Sequence, residues 1–98
     1  IKVEKRKVEI KEEPTLIKIT ENGFDPSDLK IKEGQTVIWE NQRKHTVALI
    51  IGMREIIGMK SGLIKSGDKF SWEFVDPGEF VYIDAVVVGR TGKVIVGK

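Results

Sequence analysis

Short runs of alternating apolar and polar residues, broken every few positions by turn formers, are the dominant pattern of this chain, and that period of two predicts strands. Leu16 to Thr20 is the first such run and ends at Glu21-Asn22-Gly23. Leu29 to Lys32 follows a turn-like Phe24-Asp25-Pro26-Ser27-Asp28, and Thr36 to Asn41 places Val37, Trp39 and Asn41 on one face. Thr46 to Ile51 is continuously apolar, the signature of a strand covered on both sides. Gly52 to Gly58 is bracketed by glycines and too short for a stable helix, so an ordered loop is expected there. Met59 to Lys65 leads to the turn Ser66-Gly67-Asp68.

Lys69 to Phe74 alternates with Phe70, Trp72 and Phe74 inward. After Asp76-Pro77-Gly78, Phe80, Tyr82 and Asp84 share one side of a strand, Val81, Ile83 and Ala85 the other, and a last strand carries Val94 to Val96. These intervals predict an all-β fold, a Greek-key β-sandwich of seven or eight strands. Its expected core is Ile17, Ile19, Val37, Trp39, Val47, Leu49, Phe70, Trp72, Phe74, Phe80, Tyr82, Val94 and Val96. Asp84 then stands on an aromatic face, where an unpaired carboxylate is expensive.

The first stretch, 1–14, is more than half charge and closes at Pro14; it reads as an edge strand or as a tether to an anchor upstream, ahead of one domain at 15–98. The start at Ile1 leads us to expect that a signal or anchor has been removed. Seventeen basic residues nearly cancel fifteen acidic ones, leaving +2, and the lysines are dispersed, so no nucleic-acid footprint is present. No apolar run reaches the length of a membrane span. The high charge with few side-chain amides matches heat-adapted proteins. Cysteine is absent, which removes disulfides, thiolate nucleophiles and metal-thiolate centres together. With one histidine and no paired carboxylates on a shared strand face, no catalytic arrangement stands out, and an enzyme is not expected.

The order of turns resembles the cupredoxin family, plastocyanin-like sandwiches that carry one copper ion. The resemblance spans Leu16 to Val96 and rests on Gly23-Phe24-Asp25-Pro26, Gly34 to Asn41, His45-Thr46-Val47, Ser61 to Phe70, Phe74 to Tyr82 with Pro77-Gly78, and Gly92 to Val96. The family's ligands are a His, a Cys two residues after the tyrosine, a second His three residues later, and often a Met before the final glycine. By position the first falls on His45, but the others fall on Asp84, Val87 and Arg90. A blue-copper centre needs a thiolate beside two imidazoles, so the resemblance implies the scaffold without its cofactor.

The resemblance further implies that His45 and Asp84 approach each other at one end of the sandwich. There Asp84 would accept hydrogen bonds from His45, Arg90 or backbone amides, or the two would weakly hold copper or another ion, with Met53 or Met59 as alternative soft ligands. Met53, Ile56, Ile57, Met59, Val86, Val87 and Val88 form either an exposed patch for a protein partner or self-association, or a packed cap. A binding or structural module displayed outside the cytoplasm is the expected role, with metal handling or electron transfer through His45 as the alternative.

Overall fold

A computed structural model describes residues 15–98, in which alternation has become nine strands and one 3-10 turn. The strands are β1 (Thr15–Thr20), β2 (Gly23–Asp25), β3 (Asp28–Lys32), β4 (Gln35–Asn41), β5 (Ala48–Gly52), β6 (Lys60–Ile64), β7 (Lys69–Phe74), β8 (Gly78–Asp84) and β9 (Thr91–Gly97). They form a four-stranded sheet in the order β2-β1-β4-β7 and a five-stranded sheet in the order β3-β9-β8-β5-β6. Two pairs, β1 with β4 and β3 with β9, are parallel, and the others are antiparallel. The chain crosses repeatedly between the sheets, so residues distant in sequence meet in the core. Residues 1–14, read above as an edge strand or tether, lie outside the described residues.

The all-β class stands, with two short strands more than the sequence marks plainly. β2 is three residues long, and β6 buries only Ile64, so neither carries a full alternating pattern. The expected loop after β5 holds a single 3-10 turn, Arg54–Ile56. Arg54 there adopts φ 53°, a left-handed conformation uncommon for a residue with a Cβ.

Trp39 is the centre of the core. Fully buried, it sits edge-on to Tyr82 at a centroid distance of 5.2 Å and packs on Phe70 and Phe74 at 5.7 and 6.4 Å. Phe24 meets the other side of Tyr82 at 4.8 Å, again near-perpendicular, the geometry that aromatic quadrupoles favour. Gly92 lies opposite Tyr82 on β9, and a Cβ there would overlap the phenol.

Most of the expected core is buried, but the phase of β5 differs. Ala48 and Ile50 point inward and are fully buried, while Val47 and Leu49 are only half-buried. A continuous apolar run has no alternation to fix its phase; pairing with β8 fixes it, setting Ile50 opposite Asp84 and Ile51 opposite Ile83. Phe70 and Trp72 are half-buried and pack against the core from β7, an edge of the four-stranded sheet. Phe24, Ile31, Met59 and Ile64 join the core from segments whose local pattern is too short or irregular to show a face.

Candidate functional site

Asp84 is the last residue of β8, and the inward phase of that strand carries its side chain to one end of the sandwich, beneath the β8–β9 loop. Its carboxylate is buried, and each oxygen faces a polar partner. Oδ1 accepts the N–H of Val86 at 2.9 Å, a turn closed by the side chain, and the N–H of Leu49 at 3.2 Å. Oδ2 lies 2.8 Å from Nη2 of Arg43, and the two side chains are 0% and 3% exposed. This contact is an ion pair rather than an aligned hydrogen bond, since Oδ2 has no donor of good angle, and Nη2 donates to the carbonyl of Val47 at 2.6 Å.

Arg43 is held by the loop that it belongs to. Asn41, fully buried at the end of β4, accepts the backbone N–H of Arg43 at 2.9 Å. Its amide nitrogen donates to the carbonyls of Thr46 at 2.9 Å and Ile64 at 2.8 Å. One side chain thus folds residues 41–47 into a hairpin-like loop that aims the guanidinium inward. The guanidinium Nε finds no hydrogen-bond partner among the described residues. Two opposite charges so desolvated are tolerable only together.

The partner of Asp84 therefore differs from those expected. His45, two residues beyond Arg43, is exposed and makes no hydrogen bond or ion pair among the described residues, so it does not meet Asp84. Arg90 turns away as well. Its Nη2 donates to the carbonyl of Glu21 at 2.9 Å, closing over the β1–β2 turn, and only its backbone oxygen meets Asp84, accepting that residue's N–H at 3.0 Å. Val87 is half-buried in the β8–β9 loop, where its carbonyl accepts the N–H of Arg90. The backbone amides were foreseen and Arg43 was not. The available signal was the cost of burying Asp84, which demands a cation from some loop at this end.

These residues do not fit a blue-copper ion. The donor set lacks a thiolate, its one imidazole faces outward, and its one carboxylate is shared between Arg43 and two amides. Among the described residues no group of three or more His, Cys, Asp or Glu side chains is arranged to hold a metal ion.

The apolar patch expected from the sequence divides into separate places. Met59 is fully buried and belongs to the core, and Ile56 packs against that core. Met53 donates its N–H to the carbonyl of Val81, while Val86 lies beyond the end of β8. Val81 stands three residues before Asp84, roughly 10 Å along an extended strand. What remains near Asp84 is the β8–β9 loop, with Val86 39% and Val88 98% exposed.

No family model and no curated protein matches the chain in sequence. Solved structures do match its fold. A novel purple cupredoxin from Nitrosopumilus maritimus superposes with a TM-score of 0.78 at 24% identity, covering 85% of this chain and 99% of that one. The Cu(I) form of an amicyanin point variant gives 0.79 at 22% identity over 90% of this chain and 86% of its own. A reduced amicyanin variant gives 0.79 at 21% over the same shares. The chain thus has the cupredoxin fold, as its turn order implies.

Proposed function

We propose that this chain is a cupredoxin-fold module that has exchanged copper and electron transfer for a protein-contact role, displayed outside the cytoplasm. The observation that carries the first half is the buried Arg43–Asp84 pair. A guanidinium 2.8 Å from Asp84 brings a positive charge to the carboxylate that stands in the family's thiolate position, where a copper ion would need a free anionic donor. Charge neutralisation and loop closure at this end then come from side chains rather than from a cation in solution.

Loading with Cu(II) and then Cu(I), followed by metal analysis and visible absorption, tests the exchange. We expect no stoichiometric copper and no thiolate-to-copper absorption band. Stoichiometric metal that disappears in His45→Ala would overturn the reading in favour of a metal-handling protein.

The contact role draws on the β8–β9 loop, pinned from below by Asp84 and carrying exposed Val88. An apolar side chain on a preordered loop loses little conformational entropy when it is covered. Sedimentation velocity over a range of concentrations should reveal association that Val88→Lys weakens; a monomer throughout would refute self-association through this loop. Display outside the cytoplasm draws on the fold likeness, and no helix among the described residues is long and apolar enough to cross a membrane. Protease digestion of intact cells tests it, with protection until lysis as the contrary result.

A further inference from the structure

At the opposite end of the sandwich from Asp84, about 20 Å along β8 by strand rise, lies a cavity of about 460 Å³. Its walls come from four places: the 3-10 turn after β5, the end of edge strand β7, the β7–β8 turn, and Phe80 of β8. Trp72, Phe74 and Phe80 supply aromatic surface. Phe74 and Phe80 are held in the core 5.8 Å apart, while half-buried Trp72 leaves part of its indole to the cavity. Beside them stand Glu55 and Asp76, both exposed, while Glu73 lines the space from a strand position whose side chain points to the outer face of the sheet; among the described residues no lysine, arginine or histidine lines it. Neither Glu55 nor Asp76 is in an ion pair with a described residue.

That combination has a sign and a chemistry. An indole face attracts cations through its quadrupole, and carboxylates at the mouth of a recess bias it further toward positive ligands. The apolar floor excludes simple hydrated metal ions as good occupants and favours a cation with a hydrophobic body. The volume falls within the range of small-ligand pockets and holds a one-ring molecule. A chain of net charge +2 has no general attraction for cations, so the acidity is local to this recess.

We propose that this cavity is a binding site for a small organic cation, an alkyl- or arylalkylammonium ion whose apolar body rests on Trp72 and Phe80 and whose charge faces Glu55 and Asp76. The site is separate from the Arg43–Asp84 end, and the proposal holds whether or not that end binds metal.

Two-dimensional ¹H–¹⁵N NMR of the full chain tests it, with 2-phenylethylammonium as probe, 2-phenylethanol as its neutral isostere and phenylacetate as the anion. The expected result is a saturable shift of the Trp72 indole N–H and of residues 73–77 with the ammonium ion, weakened by added salt. The alcohol should bind about tenfold more weakly and the anion weaker still. Glu55→Gln/Asp76→Asn, which alters only exposed side chains, should lower ammonium affinity about tenfold while leaving the spectrum of the rest of the fold intact. Trp72→Leu should abolish the shifts at 73–77, but the charge variant decides the matter if that substitution unfolds the domain. Absence of saturable shifts at millimolar probe, equal affinity for the alcohol, or an unchanged affinity in the charge variant each overturns the proposal. A tetralysine peptide that binds where the amine does not would assign the recess to polypeptide and overturn it too.

Discussion

Arg43 reaches Asp84 across the end of the sandwich with Nη2 and Oδ2 2.8 Å apart, and neither side chain is more than 3% exposed. The pair joins the β4–β5 loop to the end of β8, and the β8–β9 loop hangs from the same carboxylate through the amide of Val86. Removing one member strands the other in a low-dielectric site. Arg43→Met is expected to destabilise the fold by about 3 to 5 kcal/mol, and Asp84→Leu by a similar amount. The double variant should recover much of that loss, because two matched apolar side chains leave no uncompensated charge. Urea unfolding of the four proteins gives the coupling directly. Additive losses would mean that the charges are solvated and do not depend on each other.

Tyr82 makes stability depend on alkaline pH. Burial pushes its phenol well above the ordinary value near 10; the nearby Trp39 indole N–H opposes the rise, and Asp28 adds to it. Neither the indole N–H nor the phenol finds a hydrogen bond of good geometry among the described residues, so desolvation prevails. A folded-state value above the unfolded one leaves stability intact below pH 10 and erodes it above, by about 1.4 kcal/mol per unit, as the unfolded chain gives up the proton that the folded chain keeps. Lysines titrate in the same range, so the expected measurement is a difference. Between pH 9 and 11 the stability of wild type should fall more steeply than that of Tyr82→Phe, and parallel curves would count against a buried, protonated phenol.

Three glycines should separate by what lies beside them. A Cβ on Gly92 overlaps the Tyr82 phenol, and one on Gly52 overlaps the carbonyl oxygen of Ile56, whereas Gly58 has open space and no left-handed backbone angle. Alanine at 92 or 52 is expected to lower stability by about 1 to 3 kcal/mol, which for a domain of this size means several degrees in Tm. Alanine at 58 should change Tm little or raise it slightly, since it narrows the unfolded ensemble. Thermal melts of the three variants check the order; an equal loss at Gly58 would show that the 3-10 turn is more tightly packed than described.

Several features of this protein were decided by sequence alone. The alternation of Phe80, Tyr82 and Asp84 placed a carboxylate on the buried side of β8, because side chains of a strand point to opposite faces in turn whatever surrounds them. The missing cysteine ruled out a blue-copper thiolate site by composition, and the spacing of turns specified the sandwich.

Tertiary structure decided the rest. Which cation meets Asp84 depends on the path of the 41–47 loop, set by Asn41 bonds to Thr46 and to Ile64, which is 23 residues away; Arg43, Lys44, His45 and Arg90 are equivalent offers until that path is known. The phase of β5 came from its pairing with β8, since an apolar run has no period of its own. The burial of Met59 and the acid-rimmed aromatic recess arise where segments far apart in sequence converge, and local pattern records only the neighbours a residue has along the chain.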